Sequence, residues 1–429
     1  MKKLFLFVIF LFLFVSVSWG ANYYLEIIQP RPGLSTTNRF YKAYPGIEYN
    51  VRLGVIGGLY PYTYSLTTNP AGMVIDSTTG TISWPNPTTS GSPHSVTAQV
   101  VDQESTSTSI SWTVTVTTTG FLFIDAVNGT LITSGGTGTL ANPFKTLKDM
   151  YCGSDGICAY ADKTTSTYQN YFMYFRTGTY YIDTFTENCG GIDCRAPFTG
   201  PKPNVWLEYP SESAVFDFQS TYSVIFYSNL NNVYIDGFEV KNMKSYGFQF
   251  DSNGDYPVFR RLYMHRLGPT GGSNNQSFIR ILSAGIGNYM VIQDSILDDL
   301  DHGAAVKFYD VNKMLMEDST VSNFIDTTGA GIEGISLKSN VQRPTVRHNV
   351  VHDVSNHGIG GNMNDGSGST GDFEILFNYV YNSDIKINQD GQAGIIYLYR
   401  NTFSSPVTVL NMDTVDGPFY FNNNVIVNS

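Results

Sequence analysis

The chain has 429 residues, a formal net charge of −11, and charged residues make up only 14% of it. A sparsely charged, acidic chain carries no electrostatic footprint for nucleic acid, and a polyanionic partner would need local cations or a metal. The length exceeds what one hydrophobic core usually serves, so two domains are expected.

Residues 1–20 read as a processing segment. Lys2 and Lys3 precede an apolar run from Leu4 to Val15, and Ser18 and Gly20 stand three and one before a cut ahead of Ala21. That is the pattern of a secretory signal peptide, and the apolar run is too short for a membrane span. The chain is therefore expected to be secreted or cell-surface, and not membrane-spanning.

Residues 21–118 are rich in Thr, Ser, Val and Tyr and contain no cysteine. GGLYPYTYSL (Gly57 to Leu66), PAGMVIDSTTGTISW (Pro70 to Trp84), HSVTAQVVD and SISWTVTV alternate apolar and polar residues between Pro-Ala-Gly and Thr-Thr-Gly turns. Short strands with this period and these turns predict a β-sandwich. The run resembles the Ig-like, cadherin-like repeats of many secreted bacterial proteins, which implies a spacer or adhesive module. Asp76 and Asp102 alone do not supply a clustered calcium site. Tyr60, Tyr62 and Tyr64 share one parity, as either a glycan-stacking stripe or cross-strand packing would require.

Residues 119–429 open with FLFIDAVNGTLITSGGTGTLANPFKTL. Asn142 is placed to cap a short helix, with Pro143 at its first position and Phe144, Leu147 and Tyr151 at helical spacing. The strand, Gly-rich loop and helix resemble the N-terminal cap of pectate-lyase-like β-helices, which would shield the open end of the stack. Cys152, Cys158, Cys189 and Cys194 fall close together. In an exported chain an even count favours disulfides, most simply Cys152–Cys158 and Cys189–Cys194; zinc is the alternative.

Strands then recur as FEVKNM, LYMHRL, SILDDL, STVSNF, NVVHDV, NYVYNS, NTFSSP and NNVIVNS, interleaved with Gly-led strands such as HGAAVKF, GIEGISL and HGIGGNM. Repeats of this kind mean stacked coils. The expected fold is all-β: an Ig-like β-sandwich followed by a right-handed single-stranded parallel β-helix of the pectin-lyase type. About ten coils would stand roughly 45–50 Å tall. Asn422, Asn423 and Asn424 suggest an internal asparagine ladder. The end of the chain inside a repeat strand reads as truncation.

On such a solenoid the outward residues of successive coils form columns. Gly303, Gly331 and Gly358 hold similar coil positions, which puts His302 and His357 in one column about 10 Å apart, with a residue near Ala330 between them. Pairing Gly303 with Gly331 sets outward Lys307 against inward Ile335, so a bulge or slip is needed. EGISLKSN (Glu333 to Asn340) presents Glu333, Ser336 and Lys338 on one side if Gly334 makes that bulge. This stretch resembles the alginate lyase and chondroitinase B family of polysaccharide lyases (family six), with Glu-x-Ile-Ser-x-Lys-Ser on one coil and Arg-His-Gly on the next.

The resemblance implies β-elimination on a uronate-containing glycan, with Glu333 as a Ca²⁺ ligand, Lys338 as base, and His357-Gly358 as part of the second motif. Gly331 stands where the family has a second acidic ligand and Asn356 where it has arginine, so Arg343 or Arg347 would have to supply that charge. His302, Lys307 and Asn356 are the substrate-facing candidates. The acidic turn Asp298, Asp299, Asp301 could serve a hydrolase or be a solvated turn. The expected protein is a monomer acting on an extracellular polysaccharide or cell-surface glycan. Its alternatives are a non-catalytic glycan binder and a structural adhesion protein.

Overall fold

A computed structural model of the chain describes residues 23–31, 38–147, 149, 171–181, 205–221, 233–244, 246–250, 256–268, 276–281, 287–301, 303–309, 311–325, 333–338, 341–362, 372–388, 395–404, 410–412 and 418–427. The signal-peptide stretch, the four cysteines, His302 and Gly331 lie outside these residues.

From Phe121 onward the described strands are parallel and belong to three long sheets and one short strand pair. The first sheet has 11 strands, running from Phe121–Ile124 to Phe419–Asn422; the second has 10, from Gly178–Tyr181 to Val425–Val427; the third has 7, from Tyr246–Phe250 to Leu410–Met412. Each strand pairs with its counterpart one coil on, which is the register of a parallel β-helix. Inward residues of all three sheets, among them Phe216, Met264, Val306, Ile335, Val346 and Ile359, share one continuous core.

The corner between the first and second sheets is turned by a left-handed residue whose type varies from coil to coil. Arg261, Asp294, Asp318, His348, Phe377, Arg400 and Asn423 occupy it coil after coil, all with positive φ. A left-handed residue turns the chain sharply, at a steric cost that Asn and Asp bear best. The residue after each corner points inward. Asn349, Asn378, Asn401 and Asn424 form the ladder: each side-chain oxygen accepts from the backbone N–H of the preceding member, at 2.8–3.0 Å. Ser319 and Ser295 extend the ladder toward the N-terminus.

The capping helix starts later than the sequence suggests. Thr146 Oγ1 accepts from the Asp149 N–H (3.2 Å) and the Asp149 carboxylate accepts from the Thr146 N–H (2.8 Å). This is a capping box with Asp in the usual Glu position, and Leu147 and Asp149 beyond it are helical. Asn142 instead donates to the Gly135 carbonyl, and fully buried Phe144 bridges to Ile124 and Thr130. Burial of that ring holds the Asn-Pro-Phe run extended.

The front domain is a sandwich of antiparallel strands, with sheets ordered His94–Val101 beside Ser107–Val116, and Tyr49–Arg52 beside Thr81–Trp84. It is no detached spacer. Its core merges with the outer face of the first solenoid sheet, where Phe121, Phe123, Tyr174, Leu207, Val258, Val291 and Leu315 join Phe40, Val51 and Tyr62. The sheet is thus buried on both faces, which is why its strands read FLFI and FMYF without alternation.

Toward the middle of the solenoid the interface becomes ionic. Arg52 of the sandwich bonds Asp294 and Asp318 and lies 3.4 Å from Glu317. Fully buried Arg347 donates to Glu317 through Nε (2.8 Å) and to the Tyr62 hydroxyl (2.9 Å), and Gln293 donates to the Leu53 carbonyl. Buried charges are tolerated only when paired this fully. Tyr62 and Tyr64 are buried here, with rings packed edge to face, so the tyrosine stripe packs internally.

Candidate functional site

The first sheet is covered by the sandwich, so the chemistry-bearing columns to consider lie on the third. In the strand Glu333–Lys338, a Cβ at Gly334 would fall 2.4 Å from the Gly358 carbonyl oxygen and 3.1 Å from core residue Val321, so this position faces inward. Ile335 and Leu337 also enter the core. Gly334 and Ile335 are two consecutive inward positions, as Ala305 and Val306 are in the strand before. The two strands therefore stay at one offset with no inserted residue, and it is a one-residue slip from the Gly303–Gly331 pairing, not a bulge, that sets Ser336 against Lys307 and Glu333 between Ala304 and His357. Glu333, not a residue near Ala330, is therefore the neighbour of His357 in its column.

Three outward columns result. One carries Ser277, Ala304, Glu333 and His357; the next Arg280, Lys307, Ser336, Gly360 and Lys386; the third Tyr309 and Lys338. Glu333 leans across its neighbours. Its carboxylate accepts from the Ser336 hydroxyl, stands 3.2 Å from Lys338 Nζ, and occupies the space a Cβ at Gly360 would need, at 2.9 Å. Lys338 keeps a quarter of its side chain exposed.

Lys307 is 5% exposed, and its amine lies 5.9 Å from the Tyr309 ring centre. Burial, and then the cations Lys338 and Arg280, push its pKa down to about 8 against the opposing pull of Glu333. Arg280 stands over the Tyr246 ring, its buried Nε without a hydrogen-bond acceptor among the described residues. His357 Nδ1 bonds the Asp384 carboxylate at 2.7 Å, and both side chains are about nine-tenths buried. A carboxylate on Nδ1 fixes the imidazole's orientation and leaves Nε2 to exchange a proton.

The other candidates lie elsewhere. Arg343 and Arg347 do not supply the missing charge: both belong to the interface with the sandwich. Arg347 is buried against Glu317 and Tyr62, and Arg343 lies over the rings of Tyr23 and Tyr24. Asn356 is exposed at the corner before His357. Asp298 accepts from Ser322 and Asn323 on the second sheet. Arg280 and Asp384 were missed by the sequence reading, although each sits one coil step (27 residues) from Lys307 and His357.

A calcium ion needs several oxygen ligands. Glu333 has a hydroxyl and an ammonium group around it, and among the described residues no group of three His, Cys, Asp or Glu side chains could hold a metal. These residues do not fit the calcium role.

Residues 32–117 match the model of the Putative Ig domain family. The chain is similar in structure to a pectate lyase, Pel9A, at 16% identity and a TM-score of 0.40, over 70% of this chain and 80% of that one. No curated protein matches it in sequence. The parallel β-helix assignment rests on the strand register itself.

Proposed function

We propose that the outer face of the third sheet binds an acidic polysaccharide and cleaves it by β-elimination at a uronate residue. The observation that carries this reading is Lys307, seated between Arg280 and Lys338 on the face of an otherwise acidic molecule. Local cations are what a polyanion needs there, and an amine whose pKa lies near 8 is a competent base at neutral pH. Lys338 is engaged by the Glu333 carboxylate at 3.2 Å, so Lys307 takes the base role that the sequence resemblance gave to Lys338.

In the proposed reaction Lys307 Nζ takes the C5 proton beside the uronate carboxylate. Lys338 and Arg280 balance the charge that develops on that carboxylate, as preorganised cations do most effectively. The C4–O bond then breaks as the C4=C5 double bond forms, and the leaving oxygen takes the Nε2 proton of the His357 imidazolium, which is left as neutral imidazole with Nδ1–H on Asp384. With Lys307 so little exposed, the proton is reached only in a close-fitting complex. The basic, apolar N-terminal run supports export to where such glycans occur.

The test is incubation with polyuronates, following the ultraviolet absorbance of the unsaturated product. The wild-type chain should form product, Lys307→Met should lose about 10²–10⁴-fold in rate, and Lys338→Met should raise KM. Retention on immobilised polyuronate with no product would reduce the site to a glycan-binding one. Undiminished turnover in Lys307→Met would remove the assignment of the base.

A further inference from the structure

The outer face of the second sheet carries an uncovered ridge that the proposed elimination does not use. In register along the solenoid axis stand Tyr263, Ile296, Thr320, Val350 and Tyr379. Tyr263 is 40% exposed, Ile296 47% and Tyr379 42%. Tyr263 and Tyr379 are four coil steps apart, about 19 Å at the spacing of parallel strands.

Each tyrosine belongs to a braced aromatic group. The ring of Tyr263 stacks on His265 at 4.4 Å and 17°, and His265 Nε2 bonds Glu239 at 3.1 Å. Tyr379 lies 5.0 Å from Tyr381, which stacks on His352 at 4.4 Å and 6°, and His352 bonds Asp353 at 2.6 Å. Rings fixed in this way lose little freedom on binding. Beside the ridge runs a polar column through His265, Asp298, Ser322 and His352.

We infer that this ridge is a second glycan-binding face, and that its ligand is an extended, neutral polysaccharide lying along the solenoid axis. Pyranose rings present apolar C–H faces, which aromatic rings hold, and hydroxyl edges, which carboxylates and imidazoles hold. The coil repeat is close to the rise per residue of an extended sugar chain, so successive coils offer successive sugars the same contacts. A ridge one residue wide, flanked by charges, is too narrow for the apolar centre of a stable protein interface. Charge separates this ligand from that of the third sheet. Arg266 also faces Tyr263, but Lys241 is paired with Glu239 at 3.1 Å and Asp298, Asp299 and Asp353 outnumber Arg266, so a polyuronate would be repelled where a neutral chain is not.

Affinity electrophoresis of the full chain through gels containing xylan, mannan or mixed-linkage β-glucan tests the inference, with binding to insoluble cellulose as a companion. At least one neutral glycan should retard the wild-type chain, and Tyr263→Ala with Tyr379→Ala should weaken retardation by about tenfold. The same double variant should turn over polyuronates at the wild-type rate, which keeps this inference distinguishable from the proposed elimination. No retardation by any neutral glycan, or equal retardation of wild type and double variant, would overturn it. So would a sedimentation experiment in which wild type dimerises and the double variant does not, since a second copy would then be the occupant.

Discussion

Replacing Glu317 with glutamine should expose how tightly the two domains are joined. Glu317 is 2% exposed, and its carboxylate receives Arg347 Nε at 2.8 Å and Gln293 Nε2 at 2.6 Å, with Arg52 3.4 Å away. Glutamine keeps the volume but removes the charge, which strands a fully buried guanidinium. Leaving one member of a buried pair uncompensated costs about 3–5 kcal/mol. Arg52 retains Asp294 and Asp318, so the loss should fall mainly on Arg347. Urea denaturation followed by tryptophan fluorescence measures it, because Trp84 and Trp112 report the sandwich and Trp206 the solenoid core. The Glu317→Gln, Arg347→Met double variant should recover most of the loss, since it removes both charges. As a control, Asp353→Asn at the exposed His352 pair should cost less than about 1 kcal/mol. If Glu317→Gln costs no more than that control, the interface is not held as argued.

Two further outcomes follow from buried groups. Burial pushes the Glu374 carboxyl up to about 7, against the hydrogen bond from Thr345 and the charge of Arg347. A carboxyl raised in this way favours the folded state at low pH, and that contribution is lost as pH rises through about 7. The stability difference between wild type and Glu374→Gln should therefore shift toward the variant from the ordinary glutamate range, about pH 4.5, up to about pH 7 and level off above it, by about 3 kcal/mol in all; parallel curves would contradict it. In the ladder, Asn378 accepts from Asn349 and donates to the Val346 carbonyl and Asn401. Asn378→Ala orphans buried backbone groups and should cost about 2–4 kcal/mol, read as a lowered denaturation midpoint; an unchanged midpoint would show that the ladder bears no load.

The solenoid was legible because its signals are periodic: apolar strands, Gly-led strands and Asn corners recur at coil length. The reset of alternation at Gly334 was legible too, because Glu333, Ser336 and Lys338 can share a face only if Gly334 and Ile335 both turn inward, but it recurs in the adjoining strand and the register itself is a one-residue slip, not a bulge. The arginines were misread for a physical reason. A sequence shows Arg347 one strand away from Lys338, but not that a second domain covers the sheet it stands on. Tyr62, its partner, is 285 positions away. The helix start was misread because Asn-Pro is a good local cap, and burial of Phe144 overrides it. Lys307 stood out as outward, but its lowered pKa depends on Arg280 and Lys338 from adjoining coils, which no local pattern reveals.

The corner between the first and second sheets also constrains how this molecule can vary. From Asp294 onward each described coil passes it with one left-handed residue and one ladder residue, so an inserted residue in that stretch would break both the turn and the stack. The end of the second sheet also carries a column of left-handed residues, Asn242, Arg266, Asp299, Asn323, Asp353 and Asn382, but the connection that follows them varies in length. The connection into the third sheet runs from Leu267 to Ser277 in one coil and from only Val354 to His357 in another. Insertions and deletions are thus channelled toward the rims of the third sheet, beside Lys307 and His357. The rigid edge leaves the opposite rim free to change its ligand without disturbing the core.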